Sequence, residues 1–259
     1  MILKKQKILP IICLDNNIYM TKNKKIIIFD LDETLGYFTQ LHFIWQDLIT
    51  KTNISPNKNN FFVLCDNFNE YFRTNIFEIL KFIHKQKQKR IIDKCVIYTN
   101  NIGSPSWTYF IKDYIEYKIK EKVFDLCICG YDKNNINNLR TTHEKCIIDL
   151  EKILNIDIEK TDLCFIDDRI HTKMKHSNTF YIKINPYYNE LNFDDISIKL
   201  KYSSFGNNFK NDEEFDKFLK ILKNTINDNI YYYNSNNSIK RKIKDSNLLF
   251  SKINIFILN

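Results

Sequence analysis

Short apolar runs, each closed by an acidic or hydroxyl residue, recur along the middle of the chain. Ile26-Ile27-Ile28-Phe29 passes without alternation into Asp30, the pattern of a strand covered on both faces. Cys95-Val96-Ile97-Tyr98 runs likewise into Thr99, and Leu163-Cys164-Phe165-Ile166 into Asp167-Asp168. Phe124 to Cys129, stopped by Gly130, and Phe180 to Ile184, ended by Asn185-Pro186, complete a set of buried strands. Between them the apolar period changes to that of a helix. Phe72, Ile76, Ile79, Leu80 and Ile83 predict a helix over 70–88. Ser104-Pro105 opens another, carrying Trp107, Phe110, Ile111, Tyr114 and Ile115, and Ile147, Leu150 and Leu154 mark a third over 143–155. Strands alternating with helices imply an α/β fold, a three-layer, mostly parallel Rossmann-like sheet.

The remaining segments read differently. Residues 37–69 hold Phe38, Phe43 and Trp45, then a polar stretch, then Phe61 to Cys65, and read as a small β-hairpin-like insertion with no large cap. Residues 1–23 form a lead-in and 24–200 the main domain. Residues 201–259 carry an amphipathic helix on Phe215, Phe218, Leu219 and Leu222 and then a low-complexity, loosely ordered tail. That tail holds Tyr231-Tyr232-Tyr233, an Asn/Ser run and Lys240-Arg241-Lys242.

Composition changes this picture little. With 259 residues the chain can bury one good core plus appendages. Four glycines and four prolines, against abundant Asn, Ile, Lys and Tyr, look like the bias of an AT-rich genome. The net charge of +8 favours anionic substrates through long-range steering and is weak support for a nucleic-acid partner. Seven scattered cysteines read as buried apolar residues in a reducing compartment; Cys127 and Cys129 share a strand face, but no second pair follows at zinc-ligand spacing. Lys4, Lys5 and Lys7 precede an apolar run from Ile8 to Leu14. Pro10 interrupts it and Asp15 follows without a small-residue cleavage site, so an intracellular, soluble protein with no membrane partner is expected.

Ligands of open α/β sheets bind beyond the carboxyl ends of the strands. Those ends deliver Asp30-Leu31-Asp32-Glu33-Thr34, Thr99 and Asp167-Asp168, with Lys145 nearby. A single strand-end aspartate is usually a turn or cap residue; several in this order point to a site. FDLDETL resembles motif I of the haloacid-dehalogenase-like superfamily, an Asp-x-Asp-x-Thr pattern after a hydrophobic strand. CVIYTNN is similar to motif II, HEKCIIDL to motif III and LCFIDDR to motif IV, and the resemblance spans about residues 24–190. Within the superfamily the chain most resembles the small C-terminal-domain phosphatases, or NLI-interacting-factor-like branch, including forms carried by large DNA viruses. YFRTNIFEILKFI is similar to the helix start before motif II there, with Thr74-Asn75 in place of Pro-Gly. FYIKINPY is similar to the stretch after motif IV, and Asp168 stands where that branch often has asparagine.

The resemblance implies a Mg²⁺-dependent phosphatase. Asp30 would be the nucleophile that forms an aspartyl-phosphate, and Asp32 the general acid and base. Thr99 and Lys145 would stabilise the transferring group, with Thr34 and Asn100 as substrate-binding residues and Thr34 also fixing the loop after motif I. Asp30, Asp32 (through its backbone carbonyl), Asp168 and Asp167 would serve the metal, Asp167 supporting the site or Lys145. Arg140, His143 and Glu144 are competitors of Lys145 for the phosphate, His171 and His143 are expected in surface or capping roles, and Glu33 and Arg169 in solvent. An uncapped site suits bulky substrates, and the resemblance then implies phosphoserine or phosphothreonine in a protein segment such as the repeat tail of RNA polymerase II. A polynucleotide 3′-end phosphatase is the alternative. A catalytically idle protein-binding scaffold is a third reading, disfavoured because a scaffold has no need of the Asp30/Asp32 pair. No glycine-rich phosphate loop is present.

Overall fold

The computed structural model describes residues 11–14, 17–20, 23–103, 105–132, 139–229 and 238–259. Lys4, Lys5, Lys7, Pro10, Asp15, Ser104 and the Tyr231–Tyr233 run lie outside them. A two-stranded antiparallel hairpin, β1 (Ile11–Leu14) and β2 (Asn17–Met20), leads into the main sheet. That sheet comprises β3 (Lys24–Phe29), β4 (Lys94–Tyr98), β5 (Leu126–Ile128), β6 (Thr161–Asp167) and β7 (Thr179–Lys183). The spatial order is β5-β4-β3-β6-β7 and every pairing is parallel. The chain therefore winds outward from β3 in one direction and then returns to the other side of it.

Burial on both faces explains the unbroken apolar runs. Ile26 and Ile28 of β3 join Val96, Tyr98, Leu163 and Phe165 in a core covered by α5 (Ile147–Leu154). Ile27 and Phe29 point the other way, with Cys95, Ile97, Cys164 and Ile166. This larger core is shared with α1 (Thr39–Lys51), α2 (Lys58–Asn67), α3 (Ile76–Gln88), α4 (Pro105–Ile119), α6 (Phe193–Lys201), α7 (Asp212–Asn229) and α8 (Ile239–Leu258). No helix among the described residues is long and apolar enough to cross a membrane.

Two segments depart from expectation. Residues 37–69 form the helix pair α1 and α2, not a β-hairpin. Leu41, Ile44, Trp45 and Leu48 are buried at i, i+3, i+4 and i+7, as are Phe61, Leu64, Cys65 and Phe68. From residue 238 onward the tail is no loose end either. Leu249, Ile253, Phe256 and Ile257 of α8 are buried in the larger core. The buried Lys25 at the start of β3 donates from Nζ to the carbonyls of Phe256 (3.1 Å) and Ile257 (3.0 Å), satisfying the last turn of α8 where a cation also meets the negative end of the helix dipole. α3 starts later than the spacing predicts because Asn75 takes φ 60°, a left-handed conformation that Gly and Asn tolerate best.

Candidate active site

Outward winding from β3 in two directions leaves a crevice at the carboxyl ends of β3, β4 and β6. A cavity of about 210 Å³ opens there, lined by Asp30, Asp32, Glu33, Thr99, Asn100, Asn101, Lys145, Asp167, Asp168, Arg169 and His171. The structure thus brings together every expected site residue except Thr34. Thr34 is fully buried behind the wall, and its carbonyl accepts from Arg73 Nε at 2.6 Å. Its place is in the loop, not against a substrate.

Each residue is delivered by the element before it. Asp30 follows β3 directly, its amide bonded to the Ile166 carbonyl across the sheet at 2.9 Å. The loop after it turns sharply at Glu33, with φ 56°. Arg73 fastens this loop from behind. Besides Thr34, its guanidinium donates to the carbonyls of Glu33 (2.7 Å) and Asn185 (2.9 Å), and Tyr187 N–H also donates to the Glu33 carbonyl at 2.8 Å. Gly36 lets the loop close against its neighbours, since a Cβ there would come within 2.5 Å of the Tyr71 carbonyl oxygen.

Lys145 is the hub. Buried just before α5, between the rings of Tyr98 and Phe165 (5.9 and 5.7 Å to the centroids), it donates to Asp30 Oδ1 at 2.5 Å and Asp167 Oδ2 at 2.7 Å. Asp167 is saturated further, by Arg169 N–H on Oδ1 (2.7 Å) and by His171 Nε2, 3.3 Å from Oδ2. Burial alone would raise the Asp167 carboxyl, but these donors and the Lys145 charge hold it below the usual range. Asp30 lies above its usual range, because its burial outweighs the attraction of Lys145.

The outer carboxylates have fewer partners. Asp168 accepts no hydrogen bond or ion pair on its side chain among the described residues, and burial followed by the charges of Asp30 and Asp167 pushes it to about 6. Asp32 accepts one bond, from Asn101 Nδ2 at 3.1 Å, and burial with the charge of Asp30 raises it to about 6. Burial and then Asp32 take Glu33 to about 7. Carboxylate oxygens of Asp30, Asp167 and Asp168 lie within 4.8 Å of one another, an all-oxygen set suited to a hard divalent cation. The Asp32 carboxylate stays outside that group.

On the β4 side, Thr99 Oγ1 accepts from Asn101 N–H at 3.0 Å, which leaves its own proton free to donate into the cavity. The Asn100 side chain is taken up by Arg140, whose NH1 reaches Asn100 Oδ1 (2.8 Å) and the Thr99 carbonyl (3.0 Å). Arg140 NH2 donates to the His143 carbonyl (2.8 Å), tying the Thr99 loop to the Lys145 loop. Arg140 is therefore a strut and not a phosphate ligand, and His143 packs on Tyr131 away from the cavity wall. His171, Arg169 and Glu33, expected in capping or solvated positions, belong to the wall. Asn101 and Arg73 had no assigned role. Their partners lie far off in sequence, and only the proximity of Asn101 to Thr99 hinted at its place.

Beyond Asp32 and Glu33 a second cavity of about 290 Å³ continues between Phe38, Thr39 and His42 of the α1 entry and Asn101, Gly103 and Trp107 of the α4 entry. No protein-family model, curated protein or solved structure matches the chain.

Proposed function

We propose that the protein is a Mg²⁺-dependent phosphatase of the haloacid-dehalogenase type, acting on phosphoserine or phosphothreonine in protein segments. The observation that carries the reading is the meeting of Asp30, Asp167 and Asp168 around Lys145 at the topological switch point, with Asp32 two residues from the nucleophile. Asp30 and Asp168 would hold the cation with Asp167 behind them, and the cation would offset the repulsion between a carboxylate nucleophile and a phosphate dianion.

The chain's own residues account for the rest. An Asp30 oxygen bonds to phosphorus as the bond to the leaving oxygen breaks, giving an aspartyl-phosphate. Asp32, its pKa raised to about 6 and so closer to neutrality than an ordinary carboxyl, gives its proton to that oxygen and later takes one from the water that hydrolyses the acyl phosphate. Thr99 donates its hydroxyl proton to a phosphoryl oxygen, and Lys145 balances charge beside the nucleophile. The leaving group departs on the Asp32 side, where the second cavity is walled by aromatic rings and two acids. That wall suits an uncharged or apolar peptide segment better than a polyanionic strand, which favours a phosphoprotein over a polynucleotide end.

The test is turnover of p-nitrophenyl phosphate, phosphoserine peptides and 3′-phosphorylated oligonucleotides with and without Mg²⁺, wild type beside Asp30→Asn. Peptide turnover that needs Mg²⁺ and Asp30 is expected. Activity that survives the substitution, or runs equally well in chelator, would defeat the reading.

A further inference from the structure

The basic run Lys240-Arg241-Lys242 plays no part in the chemistry above, yet the fold carries it to the same edge of the sheet. α8 runs with its carboxyl end at Lys25, the start of β3, so its amino end arrives at the carboxyl ends of the strands. Side-chain contacts fix it there. Asp245 accepts from Asn185 Nδ2 at 3.2 Å, and Lys242 Nζ bonds Asn189 Oδ1 while standing 5.4 Å from the centre of the Tyr187 ring. Arg73 packs 5.2 Å from the same ring, and the Tyr187 N–H donates to the carbonyl of Glu33, a residue of the cavity wall. One layer of side chains therefore separates the first two turns of α8 from the rim of the site.

Lys242 is used up in this docking; its neighbours are not. Lys240, Arg241 and Lys244 are exposed, and none has an ion pair or hydrogen bond from its side chain among the described residues. Lys240, Lys244 and Leu248 (51% exposed) follow at i, i+4 and i+8, with Arg241 beside them. Ile239 and Ile243, 75% and 40% exposed, run along one flank. The preceding residues 230–237 contain no acid that could neutralise the patch.

We propose that this face of α8 is a docking surface for an acidic segment of a protein substrate, flanking the phosphorylated residue. The inference rests on the phosphoprotein reading of the site and names what that substrate carries beside its phosphate. Charge complementarity selects an anionic partner. Aliphatic side chains between the cations favour a peptide, whose own apolar residues can cover them. Single-stranded nucleic acid is instead held by several exposed aromatic rings, and among the described residues α8 offers only the partly exposed Phe250, whose ring packs against Phe82.

The experiment compares wild type with Lys240→Gln/Arg241→Gln/Lys244→Gln, three exposed changes outside the catalytic machinery. Fluorescence anisotropy follows a labelled Asp/Glu-rich, unphosphorylated peptide of mixed aliphatic content. Turnover is measured on p-nitrophenyl phosphate and on phosphoserine peptides with acidic or neutral flanks. Wild type should bind the acidic peptide and the triple variant about tenfold more weakly, the scale of three exposed charge contacts. The variant should lose the preference for acidic flanks and keep p-nitrophenyl phosphate turnover. Equal binding by the two proteins overturns the docking surface and leaves the phosphatase reading intact. Absent turnover in wild type with binding retained overturns the phosphatase reading alone. An oligonucleotide or a phosphatidylserine vesicle that displaces the peptide, and depends more steeply on the three cations, would reassign the face and sink the proposal.

Discussion

Two layers of carboxylates share one cavity under different constraints. Asp30 and Asp167, in the inner layer, share the ammonium of Lys145, and Asp167 collects donors from His171 and Arg169 as well. Asp32 and Asp168, in the outer layer, have between them a single amide donor, from Asn101. The residue type is the same and the chain positions are adjacent, so the contrast comes wholly from what faces each side chain. The inner layer has a cation of its own; the outer layer gathers negative charge and leaves it unanswered. Such an imbalance fits a place for a divalent ion beside a stable nucleophile.

The strongest break in this contrast removes Asp30, the proposed nucleophile. Asp30→Asn should cut phosphate-ester turnover by on the order of 10³-fold or more, because an amide cannot form the acyl phosphate. Its oxygen can still accept from Lys145, so the thermal midpoint should move little. Removing the hub tests the layer itself. Lys145→Met leaves two buried carboxylates without their cation, and should lower unfolding free energy by about 3–5 kcal/mol in urea denaturation at neutral pH. A loss below about 1 kcal/mol would mean that the inner layer is not a coupled unit.

Asp167 and Asp168 separate the layers most directly. Asp168→Asn should abolish the rise in melting temperature on adding Mg²⁺ while leaving the metal-free protein as stable as before or more so. Asp167→Asn should weaken the metal-free protein, because it loses the Lys145 ion pair and disturbs the contact with His171. Thermal melts in chelator and in Mg²⁺ read both, and identical behaviour of the two variants would erase the distinction.

The pH dependence follows from the same difference. Asp32 and Asp168 stand near 6 in the folded protein against an ordinary value of 3.8. Between about pH 4 and 6 the folded state keeps protons that the unfolded state has released, so stability falls as pH rises through that window and the loss is complete above it. Asp167 has the opposite sign, and its contribution is lost only as pH falls below the ordinary carboxylate range. In chelator the melting temperature should therefore be higher at pH 5 than at pH 7.5, and Mg²⁺ should close the gap. A metal-free protein more stable at pH 7.5 would show that the outer carboxylates are not the strained ones.

The strand-end members of the site were legible in sequence because each closes a strand whose burial on both faces forces an unbroken apolar run. Asp30, Thr99, Asp167 and Asp168 could be placed at one sheet edge from that alone. The outer surroundings could not. Asn101 meets Asp32 across 69 residues and Arg73 meets Glu33 across 40, and no local pattern encodes such a pairing. The α1–α2 pair is disguised for another reason. Phe38, Phe43 and Trp45 with a polar break after them look like hairpin strands, and the i, i+3, i+4, i+7 spacing of Leu41, Ile44, Trp45 and Leu48 was the better signal. In α8 the biased composition hid a stripe of Leu249, Ile253 and Ile257 that is plainly helical once its burial is known.

The smallest effect probes the one donor of the outer layer. Asn101→Ala removes the amide from Asp32 and the Oδ1 that accepts from Gly103 N–H, but keeps the backbone N–H that Thr99 Oγ1 accepts, which holds the hydroxyl in place. A hydrogen bond to a carboxylate favours its charged form, and losing it should raise Asp32 further. As the proposed general acid, Asp32 would have to be protonated to release the leaving group, so the falling limb of the kcat profile should move to higher pH. Turnover at the optimum should drop only about three- to tenfold, the scale of one lost hydrogen bond. The Mg²⁺ concentration for half-maximal activity should not change, because Asp32's carboxylate lies outside the cluster formed by Asp30, Asp167 and Asp168. If the limb stays where it is while Mg²⁺ affinity falls, then Asp32 belongs with the metal-facing carboxylates Asp30, Asp167 and Asp168 and is not a separate acid.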